Sequence, residues 1–166
     1  MNLNPEPIKN HLPKYSLPIL YSNQLISPRL APALLKTTLK PYCIIVSIPP
    51  KSIGLSEAEQ QLLKSILMAC NMNINDFNMI YLHQFQMGWT TFNYYYKPEK
   101  VLLFALPEEL NRLYWHITLD YYTVINKDNV QLLFSAPING LLKKTPEVIQ
   151  HKKHLWNSLK SLFNVS

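Results

Sequence analysis

Glycine is almost missing from this chain: 166 residues contain three, Gly54, Gly88 and Gly140. A phosphate-cradling loop needs several glycines close together, so the Walker-type and dinucleotide-type fingerprints are excluded. Cysteine is as scarce, with Cys43 and Cys70 alone. Two thiols cannot hold a thiolate-ligated iron–sulfur cluster, which takes four. Both lie in apolar runs, where a free cysteine behaves as a small hydrophobe. A disulfide between them is not expected in a reducing compartment. Arginine, suited to bidentate reading of bases and phosphates, occurs only at Arg29 and Arg112. No apolar run approaches the roughly 18 residues of a membrane span, so no membrane partner is expected. The opening MNLNPEPIKNHLPKYSLP lacks the basic-then-apolar layout of a signal peptide, which makes the cytoplasm the expected address.

What is present argues for one folded domain. Hydrophobic residues make up 48% and charged residues 16%, which excludes a mainly disordered chain. Seven of the 13 prolines fall in residues 1–41, which have no glycine. Proline at that density blocks long helices and ladder strands. Residues 1–40 therefore read as an extended Pro-rich arm and 41–166 as the domain. The arm carries Leu17, Ile19, Leu20, Leu34 and Leu35. Those groups should pack on the domain or on a partner, and the first 20 residues are the better partner-binding tail.

Hydrophobic patterning then alternates. Tyr42–Ile48 is a continuous β-branched run, the mark of a doubly covered strand. Ser56 and Glu59 form a capping box ahead of a helix over 57–70. Met79–His83 and Val101–Leu106 read as further strands, with the aromatic stretch 84–99 between them unassigned. Pro107-Glu108-Glu109 opens a helix expected to reach about Trp115. Tyr121–Ile125 reads as an edge strand, 126–129 as a turn, and Val130–Phe134 as a main strand. Asn139-Gly140 reads as a turn. Thr145-Pro146-Glu147 caps a last helix with Val148, Lys152, Leu155, Leu159 and Leu162 on one stripe, widened by Trp156 and Phe163. The expectation is an α/β three-layer sandwich with a mainly parallel central sheet of about four strands.

Candidate chemistry is thin. No nucleophile elbow surrounds Ser47, Ser52, Ser56 or Ser135. Glu108 and Glu109 are accounted for as first-turn helix acids, and Asp120 and Asp128 are weak candidates for acid–base work. His151 and His154 share a helix face without a third ligand nearby, so no metal is expected, and no cofactor either. Two groups suit nucleic-acid or partner contact. One is aromatic: Trp89, Phe92, Tyr94, Tyr95 and Tyr96, closed by Lys97. Such residues stack single-stranded bases, but they also build cores and protein interfaces. The other is basic: Lys143, Lys144, Lys152, Lys153 and Lys160 against Glu147, in a chain of net charge +6.

Two stretches carry a resemblance. Leu55-Ser56-Glu57 through Leu62-Leu63 to Met72 resembles the first helix of the uracil-DNA glycosylase-like superfamily. Leu132-Leu133-Phe134-Ser135-Ala136-Pro137, then Leu141-Leu142, Pro146, Lys152 or Lys153, and Trp156, resembles its closing His-Pro-Ser loop and helix. The resemblance covers 42–166 as an architecture. It implies a glycosylase-like fold whose active-site positions are Ser47, Pro49, Pro50, Ser135 and Pro137. Those positions are degenerate: the water-activating loop reads Ser47-Ile48-Pro49-Pro50-Lys51, and Ser135 stands where the family has its histidine. One branch without catalytic residues, the psi subunits of bacterial DNA polymerase III, is similar in plan. The resemblance therefore implies a non-enzymatic subunit that binds clamp-loader and replisome proteins through its N-terminal arm. The alternative is a DNA-binding or repair relative that touches DNA through the aromatic and basic groups.

Overall fold

The computed structural model describes residues 39–84, 87–111, 115 and 117–165, with two paired dipeptides at 20–21 and 24–25. Those dipeptides, β1 (Leu20–Tyr21) and β2 (Gln24–Leu25), form a small antiparallel pair. The rest of the arm, with its expected partner-binding tail, lies outside the described residues.

The main sheet has five strands: β3 (Tyr42–Val46), β4 (Phe77–Tyr81), β5 (Lys100–Phe104), β6 (Val124–Lys127) and β7 (Val130–Ser135). Their spatial order is β4-β3-β5-β7-β6. Every contact is parallel except that of β6 with β7. β6 and β7 are joined through Asp128 and Asn129, both with positive φ (50° and 65°). Short polar side chains tolerate that left-handed turn best.

The helices are α1 (Glu57–Ala69), α2 (Trp89–Tyr96), α3 (Pro107–Asn111), α4 (Ile138–Leu141) and α5 (Pro146–Phe163). The expected capping box closes α1: Ser56 N–H donates to Glu59 Oε2 at 2.7 Å, and Glu59 N–H donates to Ser56 Oγ at 3.4 Å. Thr145 caps α5 by accepting from Val148 N–H at 3.4 Å. α5 stops where Asn164 turns left-handed at φ 54°.

These elements make an α/β fold layered on both faces of the sheet. On one face α1, α4 and α5 bury Leu63, Leu67, Leu141, Leu155, Leu159 and Leu162 against Ile44, Leu102 and Leu133. On the other, α2 and Trp115 bury Trp89, Phe92 and Tyr96 against Ile45, Leu103 and Phe134. Alternate residues of each strand thus serve opposite cores, as the two-residue repeat of a strand requires. Full burial of the strands on both faces is why they read as unbroken apolar runs.

Four expectations need correction. The sheet has five strands, the edge strand counting as a full member against the about four expected, and that strand starts three residues later, at Val124–Lys127, pairing antiparallel. The stretch left unassigned is α2, whose Trp89, Phe92 and Tyr96 recur at helical spacing. Asn139 and Gly140 lie inside α4, not in a turn. Trp115 is not helical, α3 being described only to Asn111, with 112–114 outside the described residues.

Candidate functional site at the carboxyl edge of the sheet

After β3 the chain runs through α1 to β4 on one side, then crosses through α2 to β5 on the other. The strand order therefore reverses at β3. In open α/β sheets such a point, outside the carboxyl ends of the strands, is where ligands usually bind. Three segments meet there: 47–55 after β3, 105–109 after β5 and 135–137 after β7.

Backbone bonds tie the three together. Ser47 N–H donates to Phe104 C=O at 2.8 Å, and Ala105 N–H donates to Ser135 C=O at 3.2 Å. Ser47, Pro49, Pro50, Ser135 and Pro137 are thus brought to one edge of the sheet. Pro49 and Pro50 are exposed, and the loop tightens where Ser52 N–H donates to Pro49 C=O at 2.8 Å.

The polar groups of this edge are engaged with one another. Ser47 Oγ donates to Glu109 Oε1 at 2.5 Å, while Glu109 Oε2 accepts from Leu106 N–H at 2.8 Å. One carboxylate therefore clamps the end of β3 to the first turn of α3. Tyr121 Oη donates to Ala105 C=O at 3.3 Å. Burial, then the neighbouring Tyr122, Glu108 and Glu109, push the Tyr121 hydroxyl above its ordinary pKa. Ser135 is buried, its hydroxyl donating to Ala136 C=O at 3.3 Å. The Tyr122 hydroxyl is also buried, facing Ser135 and the Ala136 backbone without a well-formed hydrogen bond. Its pKa is raised by burial, an effect that these two neighbours partly offset. On its outer side the Tyr122 ring meets His154 (centroids 6.2 Å apart, 19° between planes) and His151 (5.5 Å).

The Ser47–Glu109–Leu106 arrangement is a hydrogen-bonded brace. The Ser47 hydroxyl is held by a carboxylate that is already bonded to a backbone amide. Among the described residues, no group of three or more His, Cys, Asp or Glu is placed to hold a metal.

The other sequence candidates lie elsewhere. Trp89 is 6% exposed and Tyr96 is buried, so neither forms a contact surface. Trp89 Nε1 donates to Asp128 Oδ2 at 2.6 Å, and its ring meets Trp115 at 5.1 Å. An aromatic ring buried with its N–H satisfied belongs to the core. Tyr94, 58% exposed, and part of Tyr95 remain accessible. Lys143 and Lys144 are exposed after α4, and Lys153 is exposed on α5. Lys152 is half-buried and lines an apolar groove between α1 and α5.

Sequence reasoning missed two features. Glu109 had been accounted for as a helix-opening acid, and nothing local marks its reach to Ser47, 62 residues away. The groove between α1 and α5 is the second. Its signal is an apolar arc on α5 too wide for one buried stripe, in which Ile149 stays exposed. No protein-family model and no curated protein matches the chain in sequence.

Proposed function

We propose that this protein is a non-catalytic protein-binding subunit, a psi-like component of a DNA polymerase III clamp-loader assembly on a degenerate glycosylase-like fold. One observation carries the reading. The edge where an α/β sheet would place its chemistry is occupied by a structural brace, Ser47–Glu109–Leu106, and the closing loop presents a buried serine. A glycosylase must hold a flipped base in a tight polar pocket and stabilise charge on the departing base. At this edge Ser47 is instead bonded to Glu109, and Ser135 to the Ala136 carbonyl. The described α/β layering agrees with the architecture this reading needs, and the Pro-rich sequence of residues 1–40 is the proposed handle.

The test is capture of purified clamp-loader subunits by the full chain and by a chain lacking residues 1–25. The full chain is expected to retain them. The shortened chain is expected to lose them while keeping its far-UV circular dichroism. Equal capture by both would remove the arm as the handle, and release of uracil from DNA by the full chain would defeat the non-catalytic reading. The exposed Lys143, Lys144 and Lys153 support DNA contact as the alternative function. Single-stranded DNA titrated at two salt concentrations distinguishes it, because phosphate binding weakens steeply with salt.

A further inference from the structure

We propose that the groove between α1 and α5 is a docking site for an amphipathic helix of a second protein, apolar on one face and flanked by acidic residues. The proposal rests on the binding-module reading and gives that module a surface and a partner chemistry. The groove is lined by Leu62 and Ile66 of α1, Leu141 of α4, and Leu155, Trp156 and Leu159 of α5, with Lys152 at its margin. Its volume is about 230 Å³. That is below the roughly 300–1,000 Å³ of small-molecule sites and suits anchor side chains of a protein partner.

The surface around it is apolar beyond what the core needs. Met68 is 72% exposed and Ile149 is 62% exposed, and Leu142 is exposed as well. Met68 lies one turn beyond Ser65, which lines the groove, and Ile149 lies one turn before Lys152. The apolar strip therefore continues out of the groove along α5. Two helices on one sheet face with an apolar gap between them offer the helix-in-groove mode, read through anchors at i, i+3, i+4 and i+7.

Charge selects the partner. Residues 57–69 and 138–163 carry Lys64, Lys143, Lys144, Lys152, Lys153 and Lys160 against Glu57, Glu59 and Glu147. All three acids sit in the first turn of their helix, and Glu59 is committed to the capping box. From Leu62 to Ala69 and from Leu155 to Phe163 there is no acid at all. Like charges across an interface are costly, so the complementary ligand is acidic. The same argument disfavours the chain's own arm. Residues 1–38 hold Lys9, Lys14, Arg29 and Lys36 against Glu6, four minus one, a net +3.

The test uses the full chain, isotopically labelled, and three synthetic helical peptides of about five turns. Each has leucines at i, i+3, i+4 and i+7, and their flanking positions are all Glu, all Lys or all Gln. The Glu peptide is expected to shift the Trp156 indole and the methyl signals of Leu62, Ile66 and Leu159. The Lys peptide is expected to bind at least about tenfold more weakly at low salt. Ala69→Trp, which fills the groove, should abolish the shifts. Lys152→Glu with Lys153→Glu should invert the preference between Glu and Lys peptides. Equal binding of the three peptides, shifts mapping elsewhere, or no shift at about 1 mM peptide would overturn the proposal. So would displacement of the Glu peptide by a peptide of residues 1–38, which would assign the groove to the arm. Failure here leaves capture of clamp-loader subunits by residues 1–25 standing. Loss of that capture with Glu-peptide binding intact defeats the clamp-loader assignment and keeps the groove.

Discussion

The two faces of the central sheet are built from different materials. One is aromatic: Trp89, Phe92, Tyr96 and Trp115 stack within about 5–6 Å of one another, and both indole N–H groups are bonded, to Asp128 and to Met87 C=O. The other is mainly aliphatic and leucine-rich, with a smaller ring cluster of Tyr42, Phe77 and Phe163 (centroids 5.5–6.2 Å apart), and is parted between α1 and α5 by a groove with Lys152 at its margin. The most conspicuous aromatic cluster in the sequence is thus a closed core. Among the described residues, the leucine-rich face keeps an open apolar groove. Aromatic density alone does not mark a contact surface; unused apolar area beside unpaired charge does.

That contrast can be broken or sharpened. The largest effect is expected from Phe92→Ala, since Phe92 is fully buried among Trp89, Tyr96 and Trp115. Truncating such a ring costs about 3–5 kcal/mol, whereas Tyr94→Ala on the same helix should stay within about 0.5 kcal/mol. Urea unfolding of the two variants measures the difference. A similar loss at both positions would mean that α2 is not anchored on one face.

Alkaline pH comes next. Burial holds the Cys43 thiol proton to about 12 against an ordinary 9.0, with Asn78 opposing the shift, and raises Tyr96 from 10.0 to about 12 through burial, then Cys43. The unfolded chain releases these protons first. It therefore binds fewer protons than the folded state above pH 9, and stability falls as pH rises from about 9 towards 12. Cys43→Val should flatten the early part of that fall in a series of thermal midpoints from pH 8 to 11. An unchanged slope would show that Cys43 is not the group responsible.

Smaller again is the brace at the carboxyl edge. Glu109→Ala leaves Ser47 Oγ and Leu106 N–H without their acceptor and should cost about 1–3 kcal/mol. Ser47→Ala should cost about 1 kcal/mol, and the double variant should cost less than the sum of the two. Strict additivity in denaturant unfolding would mean that the two side chains do not hold one another.

The fold was legible where local chemistry and tertiary context agree. β3, β5 and β7 stand out because doubly covered parallel strands must be apolar throughout. α1 and α5 announce themselves through Ser56 with Glu59 and Thr145 with Pro146, whose caps are short-range. α2 was hidden because Trp, Thr, Phe and Tyr favour strands, and only packing against Trp115 and the sheet overrides that preference. The edge positions Ser47 and Ser135 could be placed from the order of elements. The partner that holds Ser47 could not, because Glu109 reaches it from 62 residues away and no local pattern encodes that distance.

The most direct measurement is amide hydrogen exchange on the full chain with and without purified DNA polymerase III clamp-loader assembly. A binding subunit that works through its arm predicts slowed exchange within residues 1–25 and unchanged exchange at 47–55 and 135–137. Slowed exchange at those two sheet-edge segments, with none in residues 1–25, would contradict it.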